Sequence, residues 1–179
     1  MTEYVHYINL LLGISAIILQ IFCVVAILLL FLYSKENKFL AFIKKHFLLL
    51  GFIISFFAAV FSLFYSEIVG YLPCNLCWLQ RIFIFPQVIL FGMAYIKNDR
   101  KVAHYAFPLL ITGFLISVYQ IFIYYFTKGL VPCDASGVSC AQRLIDEIGG
   151  YISFPMLGLT SFVVLITILF VARFYKKEQ

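Results

Sequence analysis

Charged residues are scarce in this sequence: Asp, Glu, Lys and Arg make up only 12% of the chain, whereas hydrophobic residues make up 64%. About a quarter of a typical soluble domain is charged, so this shortage excludes that class and indicates a protein of the lipid bilayer. The 13 Lys and Arg residues form no basic stripe, and we therefore expect no nucleic-acid partner.

Several common arrangements of polar residues are missing as well. The sequence has no Ser/His/Asp set, no phosphate-binding glycine pattern and no pair of carboxylates inside an apolar run. The three histidines fall at predicted helix ends or near the N-terminus. Because no acidic residue lies in a predicted mid-membrane position, a transporter is disfavoured.

Runs without charge predict five membrane-spanning helices, since a crossing helix needs about 20 mostly apolar residues. The runs are residues 7–34, 46–66, 82–96, 102–127 and 148–172. The third run is short, but it reaches spanning length if its helix begins near Cys74 and carries Arg81 in its first turns. The first run is too long, and its leader too poor in basic residues, for a cleaved signal peptide. The predicted fold is an all-α membrane protein with five spans.

The basic residues predict an orientation. Ten of the 13 fall in three segments, 35–45, 97–101 and 173–177. Five spans place these segments on one side, which the positive-inside rule makes cytoplasmic. The N-terminus, the loop with Cys74 and Cys77, and the loop 128–147 are then predicted to lie outside the cytoplasm.

Four of the five cysteines, Cys74, Cys77, Cys133 and Cys140, fall on that outer side, where disulfides persist. Cys23 lies in the middle of the first span and is interpreted as a small buried apolar residue. For the other four we favour a redox relay, and two structural disulfides or a four-cysteine zinc site remain open. A disulfide that closes a short loop gains little, and the wide spacing of Cys133 and Cys140 in an oxidising compartment argues against zinc.

The Cys74-x-x-Cys77 pair opens a predicted helix, with Arg81 one turn further along the same face. A helix N-terminus stabilises thiolates, and the Arg81 guanidinium would favour the Cys77 thiolate and negative charge on an acceptor beside it. A lipid-soluble quinone fits, because its reduction puts negative charge on an oxygen that guanidinium can bind. Trp78 is explained as an interfacial belt residue, and stacking against a quinone is an optional further role.

The second cysteine loop, residues 132–140, is small and polar, so a partner protein can approach Cys133 and Cys140. The segment after it, 141–148, has apolar residues on one side and mostly charged residues on the other. This pattern is typical of a short interfacial helix, with an ordinary amphipathic linker as the alternative.

These features resemble the disulfide bond formation protein B (DsbB) family of membrane thiol:quinone oxidoreductases, most closely its short-loop, BdbC-type members. The resemblance covers about residues 46–174 and rests on the string Cys-Asn-Leu-Cys-Trp-Leu-Gln-Arg at 74–81, the later Cys133/Cys140 loop, and a last helix starting near Phe154. It implies a four-helix transmembrane bundle over 46–179 in the bacterial cytoplasmic (inner) membrane. Residues 1–45 then form an additional N-terminal transmembrane helix and a basic cytoplasmic loop.

The resemblance also implies a role for each cysteine. A soluble DsbA-like, thioredoxin-fold dithiol oxidase would attack Cys133, with Cys140 as its companion. Cys74 would exchange with that second loop, and Cys77 would meet the quinone, either ubiquinone or menaquinone, with Arg81 stabilising it. The resting pairs would be Cys74–Cys77 and Cys133–Cys140. Because a DsbA-like pair is strongly oxidising, its reoxidation needs a strong sink such as the membrane quinone pool.

One further residue is a candidate from the resemblance. Some relatives carry a histidine on the helix before the second loop, where this chain has Gln120. Gln120 is therefore the candidate for whatever contact that histidine makes with the quinone.

Two rival classes remain open. A vitamin K epoxide reductase-like enzyme also couples membrane cysteines to a quinone, but its loop pair normally precedes the quinone-side Cys-x-x-Cys, the reverse of the order here. A non-enzymatic membrane protein would use the cysteines to bind metal. Electron flow in the opposite direction is also open, because sequence does not set redox potential.

Overall fold

The computed structural model describes residues 2–32, 37–127 and 153–175. Cys133, Cys140 and the predicted interfacial segment 141–148 lie outside the described residues. The helices are α1 (Thr2–Leu32), α2 (Lys38–Leu63), α3 (Asn75–Lys97), α4 (Val102–Phe122) and α5 (Phe154–Phe174). Both α2 and α4 continue into a π-helical turn, Phe64–Ile68 and Ile123–Thr127 respectively.

The described residues contain five helices that are long and apolar enough to cross a membrane. The predicted all-α fold with five spans is therefore confirmed. The short third run gains its length as expected: Cys74, in an extended conformation, precedes α3, which begins at Asn75 and carries Arg81 in its second turn. The last span begins at Phe154, and Pro155 occupies its first turn, where a missing backbone N–H costs nothing.

Four helices form a closed bundle in which α2 packs against α3, α3 against α4, α4 against α5, and α5 against α2. Glycines permit close approach at two of these contacts. Gly51 of α2 faces the ring of Phe91 on α3, and Gly113 of α4 faces the ring of Phe162 on α5. Helix α1 lies outside the ring, against α5 and, over a smaller contact, α2.

The two ends of the bundle differ in chemistry. At one end, Lys44 Nζ near the start of α2 donates to the carbonyl of Tyr175 after α5, 2.6 Å away. The Arg100 guanidinium, between α3 and α4, lies 6.0 Å from the centroid of the Phe47 ring on α2. Basic residues from two parts of the chain, Lys44 and Arg100, therefore lie at this end, and Cys74 and Cys77 lie at the opposite end.

Candidate functional site

The cysteine pair is positioned by the start of α3. Cys74 is the N-terminal cap residue, and its carbonyl accepts the first hydrogen bond of the helix from Trp78 N at 3.1 Å. The two sulfur atoms of Cys74 and Cys77 lie 3.0 Å apart. Cys74 is only 4% exposed and Cys77 is half-buried. The first backbone N–H groups of a helix have no partner within it, so the start of α3 carries positive partial charge close to the cysteine pair.

Two glutamine side chains, Gln120 of α4 and Gln80 of α3, form a hydrogen-bonded pair beside the cysteines, and Gln120 contacts both sulfurs. Gln120 is 1% exposed, and its Nε2 lies 3.3 Å from Cys77 Sγ and 3.5 Å from Cys74 Sγ. Its Oε1 accepts a hydrogen bond from Gln80 Nε2 at 2.7 Å. Because the Gln120 oxygen is engaged by Gln80, its amide N–H groups are directed at the sulfurs.

Arg81 is held by the end of α2. Its Nε donates to Ser62 Oγ at 2.8 Å, and its Nη2 donates to the Ser62 carbonyl at 2.7 Å. Ser62 lies just before α2 changes to its π-helical turn, a feature that is frequent at functional sites. The guanidinium is rigid and planar, so these two bonds fix its orientation. The third nitrogen, Nη1, is buried and has no hydrogen-bond partner among the described residues.

Trp78 lies on the outside of this arrangement. Its side chain is 52% exposed, and its ring centroid is 5.0 Å from the Arg81 guanidinium carbon. The contact is a cation–π interaction that packs one side of the guanidinium. Trp78 does not line the cavity described next, whereas Cys74, Cys77, Arg81 and Gln120 do. Quinone stacking on Trp78 stays a prediction.

A cavity of about 480 Å³ opens at the two sulfurs and runs between the helices. Its polar end is formed by the cysteine pair, Gln80, Gln120, Arg81 and Ser62, and the rest of its wall is mainly apolar. The apolar wall includes side chains of α2 and α5 and also of α1: Leu11, Leu12, Ala16, Leu19, Ile54, Phe57, Ala58, Phe61, Leu157 and Phe162.

The cavity fits a quinone head group in size and chemistry. Small-molecule sites are typically about 300–1,000 Å³, mostly apolar, with a few polar groups that fix orientation. A buried guanidinium N–H without a partner is costly, and a carbonyl oxygen of a ligand would satisfy Arg81 Nη1. Within residues 2–32, 37–127 and 153–175, no group of three or more metal-ligating side chains occurs; the zinc alternative also involves Cys133 and Cys140, which are outside those ranges.

Sequence reasoning missed three parts of this site. Ser62 and Gln80 have no motif of their own, and their contacts depend on how α2 and α4 pack against α3. The participation of α1 in the cavity wall was also missed, because the family resemblance began at about residue 46 and gave α1 no role. The polar residues Ser15 and Gln20 within the apolar first run are the one signal that could have pointed to a buried face.

A buried and a half-buried cysteine, with their sulfurs 3.0 Å apart at the mouth of a membrane helix bundle, are typical of a membrane protein of thiol–disulfide chemistry. A family model described as disulfide bond formation protein DsbB matches residues 44–172. The chain therefore belongs to the DsbB family, as its sequence motifs indicated. It is a multi-pass membrane protein of disulfide-bond formation, and this activity makes it an oxidoreductase.

Curated relatives agree with this assignment. Probable disulfide formation protein C 2 of Bacillus cereus is 36% identical over 129 residues, which are 72% of this chain and 92% of that protein. Disulfide bond formation protein C of Bacillus subtilis is 33% identical over 138 residues, covering 74% of this chain and 96% of that protein. Probable disulfide formation protein of Coxiella burnetii is 35% identical over 141 residues, covering 76% and 93%. No solved structure is significantly similar to the chain.

Proposed function

We propose that this protein is a membrane thiol:quinone oxidoreductase that reoxidises a DsbA-like, thioredoxin-fold dithiol partner. Electrons would pass from the partner to Cys133 and Cys140, then to Cys74 and Cys77, and finally to a membrane quinone. The observation that carries the proposal is the single cavity that joins the Cys74/Cys77 sulfurs to the partnerless Nη1 of buried Arg81.

The two-electron balance suits this site. Oxidation of one partner dithiol to a disulfide releases two electrons and two protons, and each exchange between cysteine pairs forms one disulfide while it reduces another. A bound quinone supplies the final acceptor, taking up two electrons and two protons to become a quinol. The cysteine nearest that acceptor is Cys77, because it lies one turn from Arg81 on the same helix.

Arg81 binds and orients the acceptor. Its two bonds to Ser62 leave Nη1 as the donor available to a ligand oxygen. A preorganised positive donor in a water-poor cavity stabilises negative charge that develops on that oxygen, without any reorganisation during the reaction. Arg81 therefore acts on the acceptor, and its charge also favours the thiolate form of the neighbouring cysteine.

Gln120 acts on the sulfurs. Its amide nitrogen lies within hydrogen-bond reach of both Cys74 and Cys77, so it can stabilise a thiolate on either one as the disulfide opens and closes. Gln80 keeps the amide in this orientation. Because Gln80 and Gln120 are both neutral, the positive charge beside the sulfurs comes from Arg81.

The proposed location is the bacterial cytoplasmic membrane, with the N-terminus and both cysteine pairs on the outer face. The basic residues Lys44 and Arg100 lie at the end of the bundle opposite the cysteines. By the positive-inside rule that end is cytoplasmic, which supports this orientation. An oxidising outer compartment is also where a protein of disulfide formation has its substrates.

The decisive experiment is quinone reduction by the purified protein, supplied with a reduced DsbA-like dithiol and either ubiquinone or menaquinone. Cys77→Ser should abolish turnover. Arg81→Ala should lower it by about 10- to 150-fold, the loss expected for a hydrogen bond to a charged group. The matched control is Arg100→Ala, which removes an arginine from the other end of the bundle and should leave turnover near that of the native chain.

The proposal fails if the native chain reduces neither quinone while its outer disulfides are intact. In that case bound metal should be assayed, because the cysteines would then be structural or ligands.

A further inference from the structure

Helix α1 is the part of the chain that the family assignment does not explain. The matched family model begins at residue 44, after α1 has ended. The buried residues of α1 nevertheless recur at the spacing of one helix face: Asn9, Leu12, Gly13, Ala16, Cys23 and Ala26. Such spacing places them on one face of a helix, and the small size of Ala16 and Ala26 permits close approach to a neighbour.

Part of this face borders the cavity that holds the cysteine pair and Arg81. Leu11, Leu12, Ser15, Ala16 and Leu19 line it together with residues of α2 and α5. Helices α2 and α5 are neighbours in the bundle, and α1 contacts both of them. At the level of the cavity, α1 therefore lies across the gap between α2 and α5.

Two interhelical hydrogen bonds flank this segment of α1. Towards the N-terminus, the Tyr65 hydroxyl of the α2 π-helical turn donates to Asn9 Oδ1. Directly after Leu19, the last wall residue of α1, Gln20 Nε2 donates to Thr160 Oγ1 of α5 at 2.9 Å. Tyr65 and Thr160 both line the cavity. The two bonds hold α1 in register with one helix on each side of the gap.

The part of the cavity wall that α1 contributes is small and apolar, and it offers a bound molecule no hydrogen-bonding group. Its one polar member, Ser15, donates its hydroxyl to the Leu12 carbonyl of its own helix at 2.8 Å. Ala16 is 3% exposed and carries only a methyl group into this region. A small, apolar surface opposite a polar end is what a flat ring with one polar edge requires.

On the basis of the proposed function, we infer that α1 is the lipid-side wall of the quinone site. It closes the gap between α2 and α5, and the small side chain at Ala16 sets the width available to the quinone head group. In this chain the quinone is held between the protein's own helices, where a bundle of α2 to α5 alone would leave it facing lipid.

The test is a binding measurement on the full chain that does not require turnover. Trp78 is the only tryptophan, and its ring is 5.0 Å from the Arg81 guanidinium carbon. Quenching of its fluorescence by a short-chain ubiquinone analogue therefore reports binding near Arg81. Ala16→Phe should raise the dissociation constant by about 5- to 150-fold, the range expected when a packed site is overfilled.

Two further variants distinguish an effect on the cavity wall from a general disturbance of the fold. Val24→Phe adds the same ring at an exposed position of α1 that does not line the cavity, and should leave the dissociation constant within twofold. Gln20→Leu changes a residue that does not itself line the cavity and breaks its bond to Thr160, so it should raise the constant by a smaller factor than Ala16→Phe. In the Val24→Phe control, disulfide exchange with one equivalent of reduced partner in the absence of quinone should match the native chain.

The outcomes distinguish the inference from the proposed function. If the native chain, Ala16→Phe and Gln20→Leu all bind the analogue equally, α1 is no wall of the site and the inference is overturned, while the quinone function stands. If the native chain shows no binding, the proposed function itself fails. Should Ala16→Phe not fold, Gln20→Leu decides between the same alternatives.

Discussion

At the scale of single residues, Gln120 is the residue whose assigned role changes most once the structure is known. From the sequence it was a candidate only because some relatives have a histidine at that place. In the structure its amide reaches the sulfurs of both Cys74 and Cys77, and Gln80 orients it. A neutral amide can donate to a thiolate but cannot release a proton at neutral pH. Gln120 is therefore a positioning and hydrogen-bonding residue of the cysteine pair.

Replacement of Gln120 tests this role. In the reduced protein, Gln120→Leu should slow alkylation of the Cys74/Cys77 pair by iodoacetamide at fixed pH by about tenfold or more, because a hydrogen bond to a charged sulfur is lost. The control is Gln87→Leu, since Gln87 is an equally buried glutamine of α3 whose Nε2 bonds the Phe83 carbonyl and which does not line the cavity. Equal alkylation rates in the two variants would show that Gln120 does not act on the sulfurs.

Some residues of the site can be predicted from local sequence pattern, and others only from the way the helices pack. The shared face of Cys77 and Arg81 follows from helical periodicity alone, so the sequence was sufficient. The partners Ser62 and Gln80 lie 19 and 40 positions away in the chain from the groups they bond, and their contacts exist only after helices pack. Local pattern carries no information on such pairs, because each side chain by itself is an ordinary polar residue of a membrane helix.

At the scale of elements, the contact between α4 and α5 depends on a glycine. A side chain at Gly113 would overlap the ring of Phe162, which is 1% exposed in the core. In a bilayer, helix association relies on close packing because lipid tails are as apolar as the side chains. The glycine therefore sets the distance between the two helices, one of which carries Gln120.

Gly113→Ala should destabilise the bundle by about 1–3 kcal/mol through overpacking. Thermal unfolding in detergent would measure this, with Gly92→Ala as a milder reference because its added Cβ would lie 3.2 Å from the Phe52 ring. Adding Phe162→Leu to Gly113→Ala should recover part of the loss, as coupled neighbours do. If Gly113→Ala has the same unfolding temperature as the native chain, the glycine does not set the spacing of α4 and α5.

The boundaries of the elements were predictable to different degrees. Charge-free runs located all five spans, because the bilayer imposes a length on every crossing helix. The start of α3 was also predictable, since the cysteine motif extended a run that was too short. The π-helical turns that end α2 and α4 have no comparable signal. The turn after α2 packs at the mouth of the cavity, where Tyr65 and Phe154 lie edge to face at 4.7 Å.

At the scale of the whole molecule, the up-and-down order of five helices separates two chemistries. Cys74, Cys77 and the beginning of α1 lie at one end, and the contacts of Lys44 and Arg100 lie at the other. With an odd number of spans, the N-terminus and C-terminus fall on opposite sides. The additional helix therefore moves the N-terminus to the side of the cysteines without changing the orientation of the four-helix bundle.

This arrangement predicts which loops a reagent reaches from outside the cell. In a background with the five native cysteines replaced by serine, Leu72→Cys lies in the loop before α3, where the native side chain is 71% exposed. It should react with a membrane-impermeant maleimide in intact cells. Asp99→Cys, in the turn between α3 and α4, should react only after the membrane is permeabilised. The reverse pattern would place the redox pair in the reducing cytoplasm, where a stable disulfide could not be maintained, and would remove the compartment on which the direction of electron flow depends.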